Sequence, residues 1–217
     1  MPLALFDLDN TLLAGDSDYL WGVFLVERGI VDGEHYAREN ARFYREYQAG
    51  TLDIHAWLAF QLSPLAAHEP AFMQELRDRF MAEKIRPIIL PAGRKLIETH
   101  RAQGDTPVII TATNSFITRP IAAALGVENL IATEPELNAG CFTGGVAGVP
   151  CFRGGKVERL EAWMAENRMD LGGSWFYSDS HNDLPLLELV DHPVAVNPDD
   201  TLARHAASRA WPILDLR

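Results

Sequence analysis

Residues 3–13, LALFDLDNTLL, open as an apolar strand and then place Asp7 and Asp9 two residues apart, with the hydroxyl of Thr11 two further on. Ligands of open α/β sheets bind just beyond the carboxyl ends of the strands, which is where these two acids stand. Whether that location has meaning depends on the rest of the chain building such a sheet.

Downstream the pattern turns helical until about Pro87. DSDYLWGVFLVERG (16–29) begins with capping residues and ends at a glycine, which are start and stop signals of a helix. DGEHYARENARFYREYQAG (32–50) sets Tyr36, Asn40, Phe43, Tyr44 and Tyr47 along one side and Arg38, Arg42 and Arg45 along another. Two more helices are expected over Ile54–Leu62 and Ala71–Ile85. From Pro91 helices alternate with apolar, β-rich runs: TPVIITAT, NLIAT, SWFYSD, HPVAVN and WPILDL. Strands of this composition are buried on both faces, as in a parallel sheet covered by helices. The expected fold is doubly wound α/β, with residues 1–13 and 88–217 as its core and 14–87 as a helical insert. ELNAGCFTGGVAGVPCF (136–152) breaks the rhythm with turn glycines between short β-like pieces and reads as a hairpin.

Composition narrows the functional classes. The chain has 217 residues, 47% of them hydrophobic and 23% charged, as in an ordinary globular protein with a sizeable core. Its formal net charge of −11, with no compact run of Lys and Arg, disfavours a nucleic-acid partner. The longest apolar run, YLWGVFLV at 19–26, falls well short of the ~20 residues of a membrane helix, and no signal core precedes Asp7, so the expected location is the cytoplasm. Cys141 and Cys151 sit in no metal-binding spacing and read as reduced thiols, a bridge across the loop being the alternative.

If the sheet forms, several polar residues meet at its carboxyl edge: Asp7 and Asp9 after the first strand, Thr111 and Thr113 with Asn114 after VII, and Asp179, Ser180 and Asp183 after WFYS. Lys156, behind Gly154 and Gly155 at a helix start, reaches the same edge. Converging carboxylates repel one another unless a cation holds them. Mg²⁺ suits a small set of oxygen ligands, because it keeps several waters and takes one or two carboxylates plus substrate phosphate. The chemistry expected is phosphoryl transfer. Asp7 attacks phosphorus, Asp9 serves as acid and then base, Thr111 and Lys156 meet the phosphoryl oxygens, and Asp179 and Asp183 hold the metal and its surroundings.

These residues resemble the haloacid dehalogenase superfamily, in particular its phosphoserine phosphatase-like branch. DLDNT is similar to that family's DxDxT motif, VIITAT to its second motif, GGK to its third-motif lysine and SDSHND to its acidic fourth motif, all in family order. The insert stands where the family has its cap domain. The resemblance implies that Asp7 is the nucleophile, that Asp9 is the acid and base, and that Mg²⁺ is held by the Asp7 carboxylate, the Asp9 main-chain carbonyl and Asp179. An acid at the second position marks phosphatases rather than dehalogenases. Two departures are visible. The Ser-Gly-Gly of phosphoserine phosphatases is here Thr111, Ala112 and Thr113, and Ser178 and Ser180 stand where glycines are common.

The expected substrate is a small phosphorylated metabolite, phosphoserine-like or histidinol-phosphate-like. Asp16 and Asp18 are candidates to meet a substrate amine, with capping of the first insert helix as the alternative duty. Arg45 is a candidate for a substrate carboxylate, Thr113 and Asn114 are further contacts, and His181 is either near the metal or a surface side chain. Trp21, Phe24 and Phe43 either line the pocket or pack the core. A phosphotransferase would need the same residues. A phospho-accepting receiver domain would share the acids, hydroxyl and lysine, but in another order and without the large insert.

Overall fold

The computed structural model describes residues 1–217 and contains a seven-stranded sheet in the order β4-β3-β2-β1-β5-β6-β7. The strands are β1 (Leu3–Phe6), β2 (Thr106–Asn114), β3 (Asn129–Asn138), β4 (Cys141–Ala147), β5 (Trp175–Ser178), β6 (His192–Val196) and β7 (Ile213–Leu214). All neighbours run parallel except β3 and β4. β1 is central, paired with β2 through Leu5↔Val108 and with β5 through Phe6↔Tyr177. The chain winds outward in opposite directions from β1, so a crevice opens at its carboxyl end, where Asp7 follows Phe6.

The near-continuous apolar character of the strands follows from burial on both sides. Ala4 and Phe6 join a cluster of 26 buried residues on one face, while Leu3 and Leu5 join 14 on the other. Ile109 and Tyr177 belong to the first cluster, and Val108, Ile110 and Phe176 to the second, as the alternation of a strand requires. Each such side chain contributes about 1.5–3 kcal/mol by leaving water.

The insert consists of α1 (Ser17–Glu27), α2 (Gly33–Gln48), α3 (Ile54–Ala67) and α4 (Pro70–Phe80), followed by a π-helical turn at Met81–Ile85 and a 3-10 turn at Arg86–Ile88. Asp16, Asp32 and Asp53 cap the first three, accepting hydrogen bonds from the amides of Tyr19, His35 and His55. Its entry and exit run side by side: the Ala14 amide donates to the Ile88 carbonyl at 2.8 Å, and the Leu90 amide to the Leu12 carbonyl at 3.0 Å. The insert does not have a wholly separate interior. Trp21 and Phe24 of α1 and Phe80 of α4 share the 26-residue cluster with the sheet. α2 and α3 meet over an aromatic set of their own, in which Phe43 lies edge-on to Trp57 and Tyr36 sits 4.4 Å from Phe60.

The core helices are α5 (Pro91–Gln103), α6 (Ser115–Ala124), α7 (Gly154–Asn167), α8 (Leu184–Leu187) and α9 (Asp200–Arg209). Four boundaries differ from the sequence reading. α3 continues past Leu62 to Ala67 despite Pro64, because the Ser63 hydroxyl bonds the Phe60 carbonyl that a proline amide cannot reach. The helix expected over Ala71–Ile85 is α4 plus the π-helical turn. The third strand does not stop at Thr133 but runs on as the first arm of the hairpin, whose two-residue turn has Ala139 and Gly140 both at positive φ. WPILDL contributes only Ile213 and Leu214 to the sheet. Both cysteines are free, Cys151 buried and Cys141 exposed. No helix is long and apolar enough to cross a membrane.

Candidate active site

The carboxyl edge of the sheet carries a cavity of about 520 Å³ whose lining includes Asp7, Asp9, Asp16, Asp18, Thr111, Thr113, Lys156, Asp179 and Asp183. β1 delivers Asp7, β2 the two threonines, β5 and the turn after it Asp179 and Asp183, and the first turn of α7 delivers Lys156. Gly155 allows that turn, since a Cβ there would lie 2.1 Å from the Pro150 carbonyl oxygen.

Lys156 is the fixed cation. Its buried Nζ donates to Asp7 Oδ1 and to Asp183 Oδ2, each at 2.7 Å. Both acids raise its pKa, outweighing burial, so it remains charged. Asp183 also accepts from the Ser178 hydroxyl at 2.7 Å. On the other side of Asp7, the Thr11 hydroxyl lies 3.5 Å from Asp7 Oδ2 and 3.2 Å from Asp179 Oδ1, and accepts the Asp179 amide. Burial lifts Asp7 to about 7 against the pull of Lys156, with Asp183 and Asp9 adding repulsion. Burial, then Asp7 and Asp183, push Asp179 well above the usual carboxylate range.

Asp9 is held differently. Its Oδ1 accepts the Ser17 amide at 2.6 Å and its Oδ2 the Thr113 hydroxyl at 2.9 Å. Burial and the neighbouring Asp16 raise it to about 7, which those hydrogen bonds oppose. Thr113, expected at the substrate, is thus committed to Asp9. Thr111 accepts the Thr113 amide at 3.2 Å, and its own proton remains free to donate.

The fit to a metal rests on the donors present. No three His, Cys, Asp or Glu side chains form a ready-made cage. Asp183 is engaged by Lys156 and Ser178, and the Asp9 carboxylate by Ser17 and Thr113. Of the four acids expected around a metal, Asp7 and Asp179 keep carboxylates facing each other across Thr11. Two hard oxygen donors with repulsion to relieve suit an ion that retains most of its waters, as Mg²⁺ does.

The remaining expectations separate cleanly. Asp16 caps α1, whereas the buried Asp18 carboxyl faces the Asn114 amide at 3.5 Å. Burial raises Asp18 well above its usual range, followed by the charges of Asp16 and Asp9, with the Trp57 side chain partly offsetting them. Asn114 caps α6 through the Ile117 amide. Arg45 is exposed and borders a neighbouring groove between α1 and α2 rather than this cavity. Trp21 and Phe24 are core residues, while Phe43 lines the cavity with Trp57 and Tyr44. His181 bonds Asp199 at 2.7 Å.

Several contributors hold roles that the sequence did not assign. Thr11 stands in the opening DLDNT, but its bridge from Asp7 to Asp179 joins distant segments and was not foreseen. Tyr47, whose hydroxyl lies 2.9 Å from Ser180 Oγ, belongs to an aromatic stripe indistinguishable from core packing. Arg153 and Trp57 carry no signal of their own.

Residues 4–188 match the haloacid dehalogenase-like hydrolase family. The chain is 45% identical to the histidinol-phosphatase of Neisseria meningitidis serogroup C (strain 8013), over 99% of each chain. It is 33% identical to phosphoserine phosphatase SerB1 of Mycobacterium tuberculosis, over 99% of this chain and 70% of that one. A crystal structure of a protein of unknown function from Bordetella pertussis Tohama I matches with a TM-score of 0.94 and 44% identity, covering 100% of this chain and 99% of the other.

Proposed function

The chain belongs to the haloacid dehalogenase-like hydrolases and is a phosphatase of phosphorylated small molecules; from that premise we propose that it works with Mg²⁺ through an aspartyl-phosphate on Asp7. The observation that carries this reading is the pinning of Asp7 Oδ1 by Lys156 at 2.7 Å, which orients one carboxylate oxygen at a crevice otherwise filled with acids. A phosphate dianion approaching a cavity lined by eight aspartates would be repelled without added positive charge.

Asp7, the Asp9 main-chain carbonyl and Asp179 would hold the ion. When bound, Mg²⁺ neutralises phosphoryl charge and lowers the repulsion among the acids. Asp7 attacks phosphorus as the ester P–O bond breaks, and Asp9 gives its proton to the departing alkoxide. A water then loses a proton to Asp9 and attacks the same phosphorus, releasing phosphate and restoring Asp7. Thr111 donates to a phosphoryl oxygen, and Lys156 steadies Asp7 and the transferring charge. Asp183 holds Lys156 in place rather than the metal.

The organic half of the cavity favours a leaving group that carries an amine. Asp18 offers a buried carboxyl beside the face of an aromatic wall, Phe43 and Trp57, which suits a cationic or ring-bearing group. The cavity's one lining arginine, Arg204, is exposed and bonded to its own helix through the Asp200 carbonyl and the Thr201 hydroxyl. Within the proposed pair, this supports a histidinol-phosphate-like ester over one bearing a carboxylate. The helical insert acts as a cap over the site, covering the substrate and excluding water.

The test is a panel of phosphorylated metabolites with Mg²⁺, phosphoserine and histidinol phosphate among them. Metal-dependent phosphate release with preference for the amine-bearing, carboxylate-free ester is expected. Equal rates with chelator present would overturn the mechanism, and preference for phosphoserine would overturn the substrate assignment.

A further inference from the structure

Arg153 does not line the cavity, yet it joins the insert to two catalytic loops. It precedes α7 with φ 50° and ψ −121°, a conformation uncommon for a side-chain-bearing residue. From there its Nη2 donates to the Gly50 carbonyl at 2.6 Å, and its Nε donates to Asn182 Oδ1 at 2.9 Å. Gly50 follows the end of α2 at φ +70°, which turns its carbonyl towards the arginine; a Cβ there would lie 3.2 Å from Nη2. Asn182 in turn donates to Ser180 Oγ at 3.3 Å, and Ser180 meets the Tyr47 hydroxyl at 2.9 Å. Gly50, Arg153, Asn182, Ser180 and Tyr47 thereby close a ring that crosses between insert and core twice.

The ring continues to the chemistry. The Ser180 amide donates to Ser178 Oγ at 3.1 Å, and Ser178 donates to Asp183 Oδ2, which Lys156 shares with Asp7. Lys156 also donates its backbone amide to the Arg153 carbonyl at 3.0 Å. A planar guanidinium can satisfy two acceptors in fixed directions at once, which an ammonium cannot.

We propose that Arg153 is a positioning residue: by holding Gly50 and Asn182 together it makes the docking of α2 over the cavity and the setting of Lys156 and Asp183 a single event. Its kinetic consequences rest on the phosphatase reading, whereas the coupling between segments does not.

The experiment compares wild type with Arg153→Ala, Arg153→Lys, Tyr47→Phe and the Arg153→Ala/Tyr47→Phe double variant. Amide hydrogen exchange is expected to accelerate in residues 47–52 and 178–183 together in Arg153→Ala. With p-nitrophenyl phosphate, loss of the two charge-assisted hydrogen bonds should lower kcat by about tenfold or more with a smaller change in KM. Arg153→Lys should recover only part of that loss. The double variant should be little worse than the poorer single variant, because both break one ring. Faster exchange confined to residues 150–156, full rescue by lysine, or strictly additive losses would each overturn the proposal. If the wild type releases no phosphate, the phosphatase reading fails while the exchange result still decides the coupling.

Discussion

The acidic edge of the sheet and the helical wall opposite it are built on different rules. At the edge, each carboxylate has an assigned partner: Asp7 and Asp183 share Lys156, Asp9 takes Ser17 and Thr113, and Asp179 takes Thr11. Across the cavity, Phe43, Trp57 and Tyr44 present surface with few directed bonds, and the end of α2 reaches the core through the Tyr47 hydroxyl on Ser180 and the Gly50 carbonyl on Arg153. The contrast separates chemistry from selection. Groups that stabilise charge must be fixed in direction, whereas groups that select an organic substituent need area and polarity. Substitutions at the edge should then depress turnover of every ester alike, and substitutions on the wall should depend on the ester.

The sharpest break would come at Asp7. Asp7→Asn is expected to lower kcat by about 10⁴-fold or more for all phosphate esters, with little change in thermal stability, since the amide keeps the shape and Lys156 retains Asp183. Substantial turnover in this variant would remove the covalent route. Lys156→Met comes next, because it leaves two acids buried without their cation. A loss of about 3 kcal/mol in unfolding free energy is expected, read by denaturant titration, along with activity. Stability equal to wild type would mean that the buried ion pairs of Lys156 make no net contribution to folding.

On the wall, Asp18→Asn should lower kcat/KM for an amine-bearing ester by about 10–100-fold while changing that for p-nitrophenyl phosphate by less than about threefold. A uniform loss would transfer Asp18 to the edge group and blur the division. The same substitution sharpens the electrostatic side. Burial lifts the folded-state pKa of Asp18 above its unfolded value, so the native protein binds more protons between the two. Its contribution is therefore fully present below the unfolded pKa and is lost as pH rises through the folded one. Asp18→Asn should flatten the fall in Tm between about pH 4 and the folded pKa, a difference of a few degrees.

The ion's own effect is read as a thermal shift. Saturating Mg²⁺ should raise the Tm of chelator-treated protein by about 5–10 °C, and Asp179→Asn should abolish most of that shift while Asp16→Asn retains it. A shift that survives Asp179→Asn would place the ion elsewhere.

Legibility in the sequence follows the same division. LALFDLDNTLL located the central strand and its two acids because strand burial and acid placement are local patterns, and the alternation after Pro91 gave the parallel sheet. Lys156 and Asp183 could be gathered to one edge by strand-end logic, but their direct bond could not, since it depends on how α7 and the turn after β5 close in three dimensions. For the insert, periodicity separates buried from exposed faces only. Phe43 lines the cavity and Trp21 does not, although both sit on apolar helix faces, and Arg45 could not be told from an arginine facing the acids. The helix expected over Ile54–Leu62 runs on through Pro64 because the Ser63 hydroxyl takes the Phe60 carbonyl, a bond that leaves no pattern in the sequence. The hairpin over 136–152 was legible from its glycines, but its continuity with NLIAT through Glu134 and Pro135 was not, since one strand there passes from a parallel neighbour to an antiparallel one.

The shared interior of α1, α4 and the sheet has one more consequence. Trp21, Phe24 and Phe80 anchor the first and last insert helices to the same packed body as Phe6, so Asp16 and Asp18 belong to a stationary jaw. α3 is fastened to that body as well, through Leu62 and Leu65, whereas α2 packs on α3 through the aromatic set that includes Phe43 and Trp57. The acids facing the organic half of the cavity and those facing its phosphate half thus rest on one rigid base, with the aromatic wall hung above it from α2 and the start of α3.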